Sequence, residues 1–571
     1  MSRRRLAGAA LPLLALLTLL PLLPPSTAYA GGFTIPLIGG RASTKMAFVA
    51  KPDDTSAVYH NPAGLSLLGP YQIDISGTAI LSKSRYSRCL TADCTPDANG
   101  NIYAPAVEST RPRDPYTGDY RSAYPKGFGI LPYAGLTGRF GLKRWTFGLA
   151  AYSPHNATGA FPDCERDAQG APTDCSMAPQ RFHAQYGTIN TIYITAAAAF
   201  EPIPGLAIGV GVSAVRAAIT LDRSLWLGGP NGMASLWWNG EGRLNLSAST
   251  WSAAFNAGLL WDIGATLAPG NRWLKGLRIG FSYSSQTKFR FKDDLSLYSE
   301  ALYLLIEENA GCRKGSADRQ EVICKAEADF TFPQLVRFGV NWQITKEWDV
   351  GFDVFWQDYS VYKEIRVNIP TPLTLTGTDT EVSGTAEPKD SVDSWSFALG
   401  VQYAPLWAKG LELRMGVIYD QSPYPDETYT LLSPDADKIG WSFGVSYLFK
   451  FGLEIGAGYI MLRYLDRIVR NSKIVPHICE PDDTDCQASF PDAPFSMNGD
   501  VKNKIVHLFT LHAGWRFGGG KPSLKKKPSA GPAPAFTQET PGVTPPHAVP
   551  PRAAPPHAVP PRRKQPPRAV P

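Results

Sequence analysis

The residues best equipped for chemistry are basic. Arg278, Lys288, Arg290, Arg337, Arg414, His512 and Arg516 fall within segments of strict apolar/polar alternation, at the positions opposite the apolar face. A cation placed so can hold a carboxylate head group by a charge-assisted hydrogen bond. Asp349, Asp353, Glu412 and Asp420 occupy the same face and are the ordinary alternative partners. Arg216 is a misfit, because it shares parity with Ile208, Val210 and Val212; a bulge or a position at the outer rim would accommodate it. Hydrolytic chemistry finds no such pattern. His60, His155, His183, His477, His507 and His512 are scattered without a nucleophile partner, and no G-x-S-x-G, Walker loop or H-E-x-x-H occurs. The expectation is a chain without enzymatic activity, cofactor or metal.

The 8 cysteines form four close pairs, Cys89/Cys94, Cys164/Cys175, Cys312/Cys324 and Cys479/Cys486. In an exported chain this reads as four local disulfides, although eight cysteines allow about 105 pairings. No pair has the C-x-x-C spacing of a zinc site. Two other stretches are unusually apolar for polar surroundings. SLWLGGPNGMASLWWNG carries Trp226, Leu227, Met233, Leu236, Trp237 and Trp238, and LSLYSEALYLLIEENAG can form an amphipathic helix with Leu295, Tyr298, Leu302, Leu305 and Ile306 along one side. These two stretches either present a hydrophobic surface or bury their apolar residues against each other.

The elements that must position these residues follow from export and alternation. Arg3, Arg4 and Arg5 precede an apolar run to Leu23 and the small-residue site Ala28-Tyr29-Ala30, the form of a signal peptide over residues 1–30. The formal charge of +6 is carried by the two ends: the leader contributes +3 and the segment 518–571, with nine Lys/Arg against one Glu, contributes +8, so residues 31–517 come to 6 − 3 − 8 = −5. A mildly acidic main domain argues against a nucleic-acid partner. The segment 518–571 repeats PPHAVPPR at 545–552 and 555–562, is too rich in Pro and Lys/Arg to bury a core, and is expected as a disordered periplasmic tail able to touch cell-wall polymer or a periplasmic partner.

From Tyr71 to Phe517 the period-two segments read as an all-β, 14-stranded antiparallel transmembrane β-barrel. Strands are expected near 71–86, 133–140, 145–153, 186–201, 206–222, 244–261, 277–291, 328–344, 348–367, 391–403, 411–421, 438–449, 452–465 and 503–517. Short turns at one end and long connections at the other place the long ones outside the cell, and all four cysteine pairs fall in the expected outer connections. Each bridge would stiffen a loop, and the barrel would not depend on it. Ahead of the first strand, DDTSAVYHNPAGLSLL at 53–68 is dense in turn residues alternating with Ala57, Val58, Tyr59 and Leu65, a compact segment packed on something apolar.

Residues 31–517, and above all GGFTIPLIGGRASTKMAFVAKPDDTSAVYHNPAGLSLL, APQRFHAQYG and VIYDQSPYPDETYTLLSPDADKIGWSFGVSYLF, resemble the FadL family of outer-membrane transport proteins, channels for long-chain fatty acids and aromatic hydrocarbons. The resemblance implies that residues 31–70 fold inside the barrel as a hatch, with Phe33, Asn61, Pro62, Ala63 and Gly64 within it. It implies a hydrophobic capture groove at the third and fourth outer loops, here Trp226, Leu227, Met233, Leu236, Trp237, Trp238, Leu302, Leu305 and Ile306. It also implies a kinked third strand that opens laterally to the membrane; Gly148 and Ser153-Pro154 are where pairing would weaken. Candidate head-group contacts are Arg278, Lys288, Arg290, Arg337 and Arg414. The implied protein is a monomeric passive transporter in the outer membrane of a Gram-negative-type cell, taking hydrophobic small molecules and touching outer-membrane lipid. The competing readings are a lipid-modifying barrel enzyme, which needs an inward nucleophile and base, and a structural or adhesive barrel, which needs no ligand in its lumen.

Overall fold

A computed structural model describes residues 38–89, 122–123, 126–160, 165–166, 172–174, 180–226, 241–267, 271, 274–375, 381–432, 434–474 and 498–518. Phe33, Leu227, Met233, Leu236, Trp237, Trp238, the leader and the Pro-rich tail lie outside them, as do Cys94, Cys164, Cys175, Cys479 and Cys486.

Fourteen antiparallel strands close on themselves. They are β1 Tyr71–Arg88, β2 Lys126–Gly138, β3 Trp145–Tyr152 continuing as Asn156–Ala160, β4 Tyr186–Ile203, β5 Leu206–Trp226, β6 Glu241–Asp262 and β7 Leu277–Ser284 with Thr287–Tyr298. Next come β8 Glu321–Phe332 with Leu335–Gln343, β9 Trp348–Gln357 with Glu364–Leu375, β10 Glu381–Pro388 with Ser394–Tyr403, β11 Leu411–Asp420, β12 Lys438–Leu448, β13 Leu453–Tyr464 and β14 Gly499–Phe517. Closure is made by β1 on β14, from Tyr71↔Phe517 to Arg88↔Gly499. A closed ring leaves no row of unpaired backbone groups facing lipid, which is the condition for crossing a bilayer with strands.

The alternation sorts the two faces. On β5, Ile208, Val210 and Val212 are exposed at the outer surface of the ring while Ala207, Ser213, Val215 and Ala217 between them are buried, and Phe397 and Leu399 repeat the pattern on β10. Exposed Phe128, Trp145, Phe147, Trp348, Trp395, Trp441 and Trp515 add aromatic side chains to this outward face.

Several strands run further than the alternation predicts. β2 begins at Lys126, β7 extends to Tyr298 and β8 starts at Glu321, so the outer connection between the last two is 299–320 in place of 292–327. The reason is that outward positions there hold ion pairs, Arg290 with Asp329 and Lys292 with Glu327, so the apolar half of the period is missing. Consequently Cys324 lies in β8, where it is bonded to Cys312 on the paired short strand Cys312–Lys314. Cys89, at the outer end of β1, is also disulfide-bonded.

Candidate ligand site in the barrel interior

Residues 38–70 pack against the buried, inward-facing positions of the strands. Helix α1 (Gly40–Lys45) lies on β10 to β14, and α2 (Ala57–His60) with the 3-10 turn Pro62–Leu67 lies on β3 to β6. Asn61 sets the second half. Its Nδ2 donates to Val49 O and to Leu259 O of β6, both at 3.0 Å, while its Oδ1 caps the turn by accepting from Ala63 N at 3.1 Å. Pro62 starts the turn where a backbone N–H is not needed. Ala63 is fully buried with Ala207 and Leu260 of the wall. Gly64 is demanded by close approach, because a Cβ there would stand 2.1 Å from Pro52 Cγ. Similarly, a Cβ on Gly258 of β6 would stand 2.0 Å from Asn61 Oδ1.

The α1 half is held by charge. Arg41 reaches Glu454 at 2.6 Å, Glu412 at 2.7 Å and Asp53 at 3.0 Å. Glu454 also meets Arg414 at 3.5 Å, Arg516 at 2.7 Å and His512 at 3.6 Å. Lys45 and Lys51 both bind Asp349, and Asp353 accepts the backbone N–H groups of Phe48 and Val49. Burial alone would raise the Asp53 carboxyl, but Arg41 and Lys51 hold it well below the usual carboxylate range. Burial lowers the Lys45 amine against the opposing pull of Asp349.

A different environment surrounds Tyr59. A cavity of about 30 Å³ is lined by Tyr59, Tyr152, His155, Tyr193, Phe255 and Arg337, among others. That holds a water or two and is far below the roughly 300 Å³ of a small ligand pocket, so ligand entry requires its walls to move. Arg337 is fully buried. It lies 4.4 Å over the Tyr59 ring and donates from one nitrogen to Tyr59 O at 3.3 Å and Ser284 Oγ at 3.1 Å. Its Nε and its other terminal nitrogen have no hydrogen-bond partner, and no carboxylate lies within ion-pair reach among the described residues. The acids expected to neutralise it, Asp349 and Asp353, are both spent on residues 45–51. From this cavity a continuous apolar cluster rises through Phe332, Phe289, Phe291, Leu295 and Leu297 to Leu302 and Ile306 in the outer connection.

The wall beside the cavity is incomplete. The β2–β3 ladder runs from Gly138↔Phe147 to Tyr133↔Tyr152 and stops. Ser153 turns its hydroxyl to Thr191 O, Asn156 donates to Ser153 O at 3.0 Å, and Pro154 has no N–H to contribute. Beyond this break Asn156–Ala160 pairs with β4, and Lys126–Pro132 of β2 pairs with β1.

The structure separates the remaining cations by place. Arg278 meets Asp262 at the short-turn end, and Arg414 sits among Glu412, Glu454 and Ser446. Lys288 and Arg290 face outward, opposite to the sequence expectation, because the strand break at Ser285-Gln286 flips the parity and turns Phe289 and Phe291 inward. Leu302 and Ile306 are buried in the interior cluster and are not presented as an open groove. The helix around them is only Glu300–Leu305, Leu295 and Tyr298 belonging to β7; the side chains of Trp226 and Leu305 are outside the described ones. Sequence reasoning missed Tyr59, Tyr152, Tyr193 and Phe332 as lining residues; inward parity on β3, β4 and β8 was the available signal.

A closed ring with an apolar outward face, its interior lined by its own N-terminal segment, defines an outer-membrane barrel. Known proteins agree. The profile of the outer membrane protein transport protein family (OMPP1/FadL/TodX) matches residues 24–474, and the chain belongs to that family. A long-chain fatty acid transport protein of Escherichia coli O6:H1 is 22% identical over 287 residues, 48% of this chain and 59% of that protein, so the match spans under two thirds of the relative. A 47 kDa outer membrane protein of Pasteurella multocida is 24% identical over 430 residues, 74% of this chain and 84% of that protein. Among solved structures, a Pseudomonas aeruginosa FadL homologue superposes with a TM-score of 0.63 at 19% identity, covering 86% of this chain and 100% of that one. The Ralstonia pickettii toluene transporter TbuX gives a TM-score of 0.50 at 16% identity over 85% and 99%.

Proposed function

We propose that this protein carries hydrophobic molecules with an anionic head, long-chain fatty acids foremost, across the outer surface by diffusion. The observation that carries the reading is Arg337, a buried guanidinium without a carboxylate partner among the described residues, at the foot of a continuous apolar cluster. A fatty-acid carboxylate would supply the missing counter-charge, and burying an unpaired charge is costly enough that the site is primed for one. Capture falls to the outer connections that carry Trp226, Leu227, Met233, Leu236, Trp237, Trp238 and Leu305, and the buried Leu302 and Ile306 receive the ligand at the top of the interior cluster. The segment 31–70 acts as the hatch; withdrawal of Tyr59 and the Asn61-Pro62-Ala63-Gly64 turn enlarges the cavity. Release runs through the β2–β3 interruption into the membrane, since Pro154 and His155 line the cavity and lie at that break.

The aromatic lining favours a second substrate class. Tyr59 meets Tyr152 at a tilt with ring centroids 5.2 Å apart, Tyr152 stacks on Tyr193 at 5.7 Å, and His155 stacks on Phe332 at 4.5 Å, a suitable bed for an aromatic hydrocarbon. The test is titration of lipid-stripped protein with a long-chain fatty acid and with toluene, read by Trp fluorescence and mass spectrometry, on wild type and Arg337→Leu. Fatty-acid binding lost in the variant with toluene binding retained supports the reading. Equal loss of both, or of neither, removes Arg337 from it.

A further inference from the structure

Arg216 is paired without interruption to Ile192 on β4 and Trp251 on β6, so no bulge redirects it and its side chain stands exposed on the outward face. Toward the short-turn end on that face come Ala214 and then Val212 and Val210, the last two 66% and 62% exposed, the apolar surface that meets lipid. Arg216 therefore sits where apolar surface gives way to polar surface, a position at which a lipid-facing cation is tolerated. Trp251, 62% exposed, is its direct cross-strand neighbour. On the far side of Trp251 comes Lys288 of β7, whose carbonyl accepts from Ser252 Oγ at 2.7 Å.

The six cations on the outward face of β5 to β8 divide into two groups. Arg243, Arg290, Lys292 and Lys325 each meet a carboxylate, respectively Asp222, Asp329, Glu327 and Asp294. Among the described residues Arg216 and Lys288 meet none, and the side-chain bond of Arg216 there is to Ser249 Oγ at 3.5 Å. The two uncompensated charges lie close to the exposed Trp251 at the apolar border, Arg216 directly across from it on β5 and Lys288 beside its neighbour Ser252 on β7. An indole at that level packs on acyl chain and sugar, while a guanidinium and an ammonium close to it match phosphate oxygens.

We propose that Arg216, Trp251 and Lys288 form a binding site for the phosphate-bearing head group of an outer-leaflet lipid. The backbone ladder between β6 and β7 lapses beside it: Asn256–Asp262 pairs with Leu277–Ser284, Ser285 N–H donates to Phe255 O at 2.9 Å, and pairing resumes at Leu246↔Leu295. A lipid held there covers a seam that the strands do not close themselves.

The test uses full-length mature protein in detergent, stripped of lipid, with native mass spectrometry after addition of bis-phosphorylated lipid A, enzymatically dephosphorylated lipid A or inorganic phosphate. Wild type should retain the bis-phosphorylated lipid and release the dephosphorylated one, and Arg216→Gln/Lys288→Gln should bind it about fivefold or more weakly. Arg290→Gln/Lys292→Gln, which removes compensated cations, should stay near wild type. Heat-modified gel mobility verifies that each variant is a closed barrel, and Trp251→Leu gives an independent variant at the same site. Unchanged lipid retention in the Arg216/Lys288 variant overturns the proposal. So does equal retention of dephosphorylated lipid, and displacement of bound lipid by inorganic phosphate would make this a free-anion site.

Discussion

The two halves of the N-terminal segment are fastened to the wall by opposite chemistry. On the β9 to β14 side, Arg41, Lys45 and Lys51 form buried ion pairs with Asp349, Glu412 and Glu454 of the wall, and Asp53 of the same segment joins Arg41. On the β3 to β6 side, Val58, Tyr59, Ala63 and Leu65 are packed against apolar wall residues, and the bonds to the wall are hydrogen bonds without a carboxylate: Asn61 donates to Leu259 O, Asn256 to Val58 O, Arg139 to Ser66 O and Leu68 O, and Arg337 to Tyr59 O. Ion pairs out of water hold tightly because separating them strands a charge, whereas apolar contacts can slide and re-form on a hydrophobic ligand. The apolar half adjoins the cavity, Arg337 and the interrupted wall. On the proposed transport reading, the ionic half is the anchor and the apolar half the moving part.

Glu454→Ala is the strongest way to break this comparison. It removes the one carboxylate that Arg41, Arg414 and Arg516 all meet, leaving Glu412 to Arg41 and Arg414, and loss of one member of a buried ionic network costs about 3–5 kcal/mol. The expected result is a lower thermal midpoint and general leak of small polar solutes, because the whole segment loosens. Leu65→Ala on the other half costs about 2–5 kcal/mol of packing but should raise flux of apolar probes selectively. If Glu454→Ala gave the selective rise and Leu65→Ala the general leak, anchor and moving part would be reversed.

Arg337→Leu sharpens the comparison from the ligand's side. A hydrogen bond to a charged group is worth about 1.5–3 kcal/mol, so fatty-acid affinity should fall about tenfold to a hundredfold. Arg337→Lys should recover part of it, and titration calorimetry with the acid and its methyl ester separates charge from chain. Further out, Cys312→Ser/Cys324→Ser opens a bridge of sequence separation 12 and should cost at most about 3 kcal/mol of local ordering. Faster proteolysis within 299–320 with an unchanged barrel midpoint is expected; a lower barrel midpoint would show that the loop supports the wall.

How much of this was legible in the sequence depended on what each strand faces. Lipid outside and a lumen inside impose an apolar/polar period, so the ring and its fourteen strands could be counted. Beyond the bilayer the outward partner becomes another charge, as at Arg290 and Asp329, and the period vanishes with the strands still present. Parity placed Arg337 inward but carried no information about which acids remained to meet it. That depended on Lys45, Lys51 and two backbone amides reaching Asp349 and Asp353 from some 300 positions earlier in the chain. The break at Ser285-Gln286, which reversed Lys288 and Arg290, has no proline or glycine to announce it.

The smallest effect is concealed in the intact protein by two groups of opposite sign. Burial and the nearby Asp74 push the Asp54 carboxyl up to about 6, while burial and Arg337 pull His60, whose Nε2 faces Ile38 O at 2.7 Å, down to about 3. An acid whose folded pKa is raised gives stability that is complete at low pH and is lost as pH rises through about 6. A histidine whose folded pKa is depressed gives stability that is present above its unfolded value and is lost as pH falls toward about 3. Across pH 4 to 7 the two slopes oppose, so the wild-type midpoint should change little from this pair. Asp54→Asn leaves His60 alone, and the thermal midpoint should then rise with pH over that window; His60→Gln leaves Asp54 alone, and it should fall. The same slope in both variants would show that neither group titrates as its surroundings dictate, and that the packing of the moving half around Tyr59 is looser than its buried side chains imply.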